Sequence, residues 1–329
     1  MYEIGQEEID AVAAVIRSGQ LFRYRGGEDG EVSKCEKFMN EQLGCAYSVA
    51  TTSGTGALIC GLVGLGVGPG DEVIVPAYTW LASAGAILSV GAIPVLADVN
   101  ETLTLDPVDF EKRIGPRTKA VIPVHMGGRP TDMDAIMAVA KKHGLAVLED
   151  ACQAIGGSFK GRRLATIGDA GAFSFNMFKN ITCGEGGALL TSNRKAFERA
   201  LYHHDMGCTF RGHAGTMTEE PFLGNTYRMN EILGAVLRVQ LTRLDGILAR
   251  LRERRSWVLD AVRAEKSPIA ISPSADLTGD CGNSATFIFK TAELREKVAL
   301  RAKEINPACG IGSPIHSGLH VYTNWAVLL

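Results

Sequence analysis

The chain has 329 residues, 46% of them hydrophobic and 21% charged, the proportions of a soluble globular protein with room for one large domain and a smaller one. Lys+Arg total 34 against Asp+Glu 36, and the net charge of −2 offers no general attraction to nucleic acid or to an anionic membrane. The 8 cysteines are scattered without a C-x-x-C pair, so no metal site and no thioredoxin-type motif is indicated, and reduced thiols in the cytoplasm are the expectation.

Taken in chain order, residues 7–18 carry apolar side chains at helical spacing and stop at Gly19. Phe22-Arg23-Tyr24-Arg25 follows; Arg23 and Tyr24 could border a substrate mouth, although a surface loop is the simpler reading. Residues 53–64 read as a loop feeding a helix. Residues 73–97 are free of charge, but Pro76, Gly91 and Pro94 interrupt them. They therefore read as two strands (72–76 and 93–97) around a short helix, not as a membrane span. A strand is expected over 119–124, then a helix over 131–143 with Thr131 as N-cap and Gly144 as its stop. Short apolar runs at 145–149, 170–175 and 187–191 complete a mostly parallel sheet covered by helices on both faces. His203 and His204 read as solvated helix residues.

Beyond Met229 the pattern changes. Residues 230–255 form a long amphipathic helical run whose end, 250–255, reads as a solvated face. Residues 269–273 and 284–290 look like strands of a smaller α+β unit. The expected division is a large α/β domain over 1–245 and a small domain over 246–329. Its apolar, uncapped end at Leu329 raises the expectation that the natural sequence continues.

Five features occur in a fixed order. Thr51-Thr52-Ser53-Gly54-Thr55-Gly56 is rich in glycine and hydroxyls and opens a helix, which suits a phosphate but is equally an ordinary N-cap. Trp80 follows a strand and could lie against a planar ring, or belong to the core. Asp150 ends a buried strand, where it could pair with a pyridinium nitrogen or simply cap the next turn; Gln153 follows. Ser174 ends another strand, and Lys179 lies five residues on, before Gly184-Glu185-Gly186-Gly187. A partly desolvated lysine can lose its proton and attack a carbonyl, and a Lys–Asp pair around a pyridine ring is the arrangement of pyridoxal 5′-phosphate (PLP) enzymes. No single bland reading accounts for all five together.

In order and spacing, Ser53-Gly54-Thr55, Pro76-Ala77-Tyr78-Thr79-Trp80, Pro123-Val124-His125-Met126-Gly127-Gly128, Glu149-Asp150-Ala151-Cys152-Gln153-Ala154, Ser174 to Asn180 and Gly184-Glu185-Gly186-Gly187 closely resemble the DegT/StrS-type sugar aminotransferases, PLP enzymes of fold type I. The likeness runs from about residue 5 to about residue 250 and more weakly beyond. It implies that Lys179 holds PLP covalently and then acts as general base, that Asp150 pairs with the pyridine nitrogen, and that Trp80 stacks on the ring. It further implies Gln153 near the ring's 3-oxygen, with Gly54, Thr55 and Ser174 at the phosphate. It also implies a homodimer with the site at the interface, a keto-sugar substrate, and glutamate or glutamine as donor.

One motif departs from the family. Where members usually carry Gly-x-Asn-x-Arg-Met, with the Asn reaching the partner's phosphate, this chain has Gly224-Asn225-Thr226-Tyr227-Arg228-Met229. Either Thr226 or Asn225 could serve. Related dehydratases carry histidine at the lysine position, so Lys179 favours transamination. A PLP lyase or dehydratase on a sugar, and a non-catalytic sensor retaining the fold, stand as the alternatives.

Overall fold

The computed structural model describes residues 3–207, 217–265, 269–307, 310–313 and 318–328; the apolar end at Leu329 lies outside them. Two helices come first, Gln6–Ser18 (α1) and Glu31–Leu43 (α2). Gly19 and Gly44 stop them in the left-handed conformation at φ of 66° and 79°, which glycine adopts without steric penalty. Alternation of strand and helix follows: Tyr47–Thr51 (β1), Gly54–Gly64 (α3), Glu72–Pro76 (β2), Ala82–Ser89 (α4), Ile93–Ala97 (β3), Pro107–Lys112 (α5), Thr118–Val121 (β4), Met133–His143 (α6) and Ala146–Asp150 (β5). A small hairpin, Ser158–Phe159 (β6) and Arg162–Arg163 (β7), precedes Ala170–Ser174 (β8), Gly187–Thr191 (β9) and Arg194–His204 (α7). The later elements are Glu231–Thr242 (α8), Leu244–Ala264 (α9), Ala270–Ile271 (β10), Phe287–Ile288 (β11) and Ala292–Ile305 (α10).

Seven strands form one sheet in the order β1-β9-β8-β5-β4-β2-β3. The pairs from β8 to β3 are parallel, while β9 is antiparallel to both β1 and β8. Six strands therefore run one way and β9 alone runs against them. Successive strand residues point to opposite faces. Val73, Val75 and Leu148 pack with Leu58, Leu62 and Ile87 of α3 and α4 and with Phe197 and Leu201 of α7. Their neighbours Ile74, Val147 and Phe173 pack with Met39, Phe110, Ile136 and Leu237 on the other face. A sheet buried on both faces needs continuous apolar strands, and that is what the sequence supplies. Among the described residues no helix is long and apolar enough to cross a membrane.

Several expectations need correction. The helix over 131–143 begins at Met133, because Asp132 accepts from Ala135 N–H (3.2 Å) as N-cap while the Thr131 hydroxyl donates to Val124 O (3.0 Å). The strand over 119–124 ends at Val121, two residues before Pro123, which has no N–H for the ladder. The run over 230–255 is two helices, broken at Arg243, whose guanidinium bonds Glu7 (2.5 Å) and Glu8 (2.7 Å). Arg255 is buried and paired with Asp280 rather than solvated. His204 is also buried, and His203 is half-buried with its imidazole held below its usual pKa by burial. Arg23 is not a surface-loop residue: it is buried against Glu36 at 2.5 Å and Ser33 at 3.1 Å.

Candidate active site

The carboxyl ends of β1, β2, β5 and β8 lie along one edge of the sheet, and β9 begins there because it runs the other way. At this edge Gly187 stands opposite both Thr51 and Ser174. A Cβ on Gly187 would sit 2.3 Å from Ser53 O, so only glycine lets the loop after β1 close over the sheet. That loop becomes α3. The Ser53 hydroxyl caps it by accepting from Gly56 N–H at 3.0 Å, and Ser53 O accepts from Ala57 N–H at 3.0 Å. The N–H groups of Gly54 and Thr55 keep no protein acceptor among the described residues. They are the orphan donors of a helix start, where the helix dipole favours an anion.

Gly54 packs against the neighbouring strand ends. A Cβ there would lie 2.7 Å from Ser174 Cβ, 2.8 Å from Cys152 Sγ and 3.2 Å from Ser174 Oγ. The free N–H pair and the Ser174 hydroxyl thus border one cradle that a larger side chain would fill. Its donor set, two N–H groups and a hydroxyl with no carboxylate, is suited to a phosphate.

Asp150 ends β5, is buried, and is held from several sides. Its Oδ2 accepts from Ser83 Oγ at 2.7 Å and its Oδ1 from Cys152 N–H at 3.1 Å. Its backbone N–H donates to Pro123 O, and its O accepts from His125 N–H. A carboxylate has about four lone-pair sites, so these bonds orient the group and leave it able to accept again. The Cys152 thiol lies beside it. Burial pushes that thiol well above its usual pKa, Asp150 raises it further, and the positive charge of Lys179 partly offsets both. The Asp150 carboxylate and the Lys179 ammonium therefore act on the same sulfur.

Lys179 is half-buried on a loop tied down at many points. Its N–H donates to Asn176 O (3.0 Å), Phe178 N–H to Asn176 Oδ1 (3.0 Å), and Asn180 Nδ2 to Ile155 O (2.9 Å). Phe175, Met177 and Cys183 pair by backbone bonds with Gly186, Gly184 and Phe175. Directly before the lysine, Met177 and Phe178 are 50% and 81% exposed.

The adjacent Glu149 points to the opposite face of β5 and has different work. Its carboxylate accepts from Ile167 (2.6 Å), Gly168 (2.7 Å) and Ala165 (3.0 Å) N–H groups and contacts His125 Nε2 at 3.0 Å. Thr131 N–H donates to His125 Nδ1 at 3.1 Å, so Nδ1 carries no proton and Nε2 is the donor. Of the two carboxylates, Glu149 braces the loop before β8 and Asp150 faces the site.

The other expected residues are spread around this centre. Trp80 is partly exposed, its ring 5.0 Å from that of His320. Gln153 Oε1 accepts from Gly127 N–H at 2.9 Å, which leaves its Nε2 as a donor. Residues 225–228 run beside β1 and the end of α7: Thr226 pairs with Asp205, Arg228 with Thr51, and Thr52 N–H donates to Tyr227 O at 2.8 Å. The Asn225 and Thr226 side chains are exposed and make no hydrogen bond among the described residues. Sequence reasoning missed Ser83, Thr79 and Cys152. The signal for the first two was available: a hydroxyl pair four residues apart at the start of a helix following a strand.

A family model for the DegT/DnrJ/EryC1/StrS aminotransferase family matches residues 2–319. The spore coat polysaccharide biosynthesis protein SpsC of Bacillus subtilis (strain 168) is 41% identical over 257 residues, which make up 76% of this chain. The chain spans 65% of the length of that curated relative. A solved aminotransferase from Psychrobacter cryohalolentis is 30% identical with a TM-score of 0.83, covering 92% of this chain and 81% of the other. The E. coli GDP-4-keto-6-deoxy-D-mannose-3-dehydratase with bound hydrated PLP is 22% identical with a TM-score of 0.83, over 97% of this chain and 85% of its own; at that identity the likeness is one of fold. The architecture is fold type I of the PLP enzymes.

Proposed function

The chain belongs to the DegT/DnrJ/EryC1/StrS aminotransferase family, and from that premise we propose that it is a PLP-dependent aminotransferase moving an amino group from glutamate or glutamine to a keto-sugar. The observation that supports the reading is the grouping of Gly54, Ser174 and Asp150 around Cys152 at one sheet edge, with Lys179 five residues past Ser174 and near enough for its charge to act on that thiol. A phosphate cradle, a buried carboxylate and a lysine in one place are the three groups that PLP requires. When bound, PLP supplies an electron sink that eases loss of a proton from the carbon bearing the amine.

The chain's own groups then have distinct tasks. Gly54 and Thr55 N–H and the Ser174 hydroxyl hold the phosphate. Asp150 would accept a hydrogen bond from the pyridine nitrogen and favour its protonated form. Lys179 Nζ would hold the cofactor and would serve as the base that takes and returns the substrate's proton. Trp80 would cover the ring, and Gln153, with its Nε2 left as a donor, would serve the ring's 3-oxygen. Asn225 or Thr226, exposed and without side-chain hydrogen bonds among the described residues, would reach the phosphate of a second copy. The exposed Phe178 and Met177 beside Lys179 suit the same homodimer, with the site at its interface. We keep the larger domain as 1–245 and the smaller as 246–329, with the helix break at Arg243 near the junction.

The test is Lys179→Ala. Turnover should vanish along with the visible absorbance that PLP acquires when bound to the protein. Full activity in the variant would overturn the reading. A lyase or dehydratase would turn over without an amino donor, and a non-catalytic sensor would bind without turnover.

A further inference from the structure

We propose that Ser83 is a positioning residue, setting the orientation of the Asp150 carboxylate that would receive the cofactor's ring nitrogen. The inference rests on the proposed PLP site. Ser83 and Thr79 are both fully buried, and Asp150 is 5% exposed. Ser83 Oγ lies 2.7 Å from Asp150 Oδ2 and 2.8 Å from Thr79 Oγ1.

Proton counting orders the chain of bonds. An ionised carboxylate only accepts, so the single Ser83 proton goes to Asp150. The Ser83 oxygen then accepts from Thr79, which spends its own proton there. Trp80 O, the competing acceptor for Ser83, lies farther away at 3.2 Å. The result is a directed chain, Thr79 to Ser83 to Asp150, and each link strengthens the next in the buried interior.

The geometry also goes beyond a more ordinary role. A serine in the first turns of a helix commonly caps it or bonds back to its own carbonyls. Here the hydroxyl crosses from the start of α4 to the end of β5, 67 residues away in sequence. No charged residue occurs in α3, α4 or β8. Lys179 is close enough for its charge to act on the thiol of Cys152, whose backbone N–H bonds Asp150. The hydroxyl donors and the Cys152 N–H are therefore what stabilise the anion before the ring arrives. A far end is anchored as well: Thr79 N–H donates to His320 O at 3.0 Å and Leu81 N–H to Leu319 O at 3.0 Å. The loop carrying the donors is thus braced by the chain's C-terminal stretch.

The test is a double-mutant cycle read on PLP binding and on the absorbance of the bound cofactor, with Ser83→Ala, Asp150→Ala and both together. Ser83→Ala should weaken PLP binding roughly tenfold or more and shift the bound band. In the Asp150→Ala background the same change should do little, because Ser83 acts through the carboxylate. Ser83→Thr should restore binding, and Thr79→Val should show a smaller effect in the same direction. If Ser83→Ala proves poorly folded, the cycle is run with Thr79→Val. Equal losses in both backgrounds, or wild-type binding and spectrum in Ser83→Ala, would overturn the proposal. Failure of the wild-type chain to take up PLP would overturn the functional reading and this inference together.

Discussion

Replacing Gly54 by alanine tests the cradle directly. The added Cβ would lie 2.7 Å from Ser174 Cβ and 2.8 Å from Cys152 Sγ. Carbon atoms pack at about 3.5–4.0 Å, so the start of α3 must move from β8 by about 1 Å, or Ser174 and Cys152 must be displaced. Overpacking of this kind costs about 1–3 kcal/mol of stability. The same displacement pulls the Gly54 and Thr55 N–H groups away from Ser174 Oγ. With a charge-assisted hydrogen bond worth about 1.5–3 kcal/mol, loss of one should weaken PLP binding roughly 10- to 100-fold. Thermal melting of the cofactor-free protein reads the first effect, and absorbance titration with PLP reads the second. Wild-type PLP affinity in a variant that melts at the wild-type temperature would refute the close contact and the cradle built on it.

Glu149→Gln should cost about 3–5 kcal/mol in chemical denaturation. Its amide NH₂ would face two of the four donors that now meet a carboxylate; a loss under about 1 kcal/mol contradicts the network. The Glu198 carboxylate should confer pH-dependent stability. Burial alone would raise its pKa, but the Arg194 hydrogen bond and the donors of Glu219 and Thr218 override burial and hold it at about 2, below the ordinary 4.5. A depressed pKa stabilises the fold above the unfolded value and loses that effect as pH falls toward the folded one. The gap in melting temperature between wild type and Glu198→Gln should therefore close between about pH 5 and about pH 2. A gap that stays constant refutes it.

Most of the α/β core was legible because apolar runs, glycine stops and N-caps act locally. The strands over 72–76, 93–97 and 187–191 fall where their apolar residues place them. β1 was hidden by its polarity: Ser48 and Thr51 are buried, yet they satisfy their hydroxyls on Glu36 O and Ser53 O. The antiparallel direction of β9 was equally invisible, since strand direction is set by tertiary pairing. At the site, residue order together with the family resemblance pointed to Gly54, Asp150, Ser174 and Lys179. The division of labour between Glu149 and Asp150 needed the pleat of β5, and Ser83 needed the crossing from α4 to β5. Arg23, His204 and Arg255 were misread as solvated because a polar residue's burial depends on partners far along the chain.

The central claim is tested most directly by following the absorbance of the PLP-loaded protein while glutamate and glutamine are added separately. The account predicts that one of them bleaches the visible band with release of its 2-oxo acid, and that a keto-sugar then restores it. No spectral change with either donor, together with turnover of a keto-sugar in the absence of both, would contradict it.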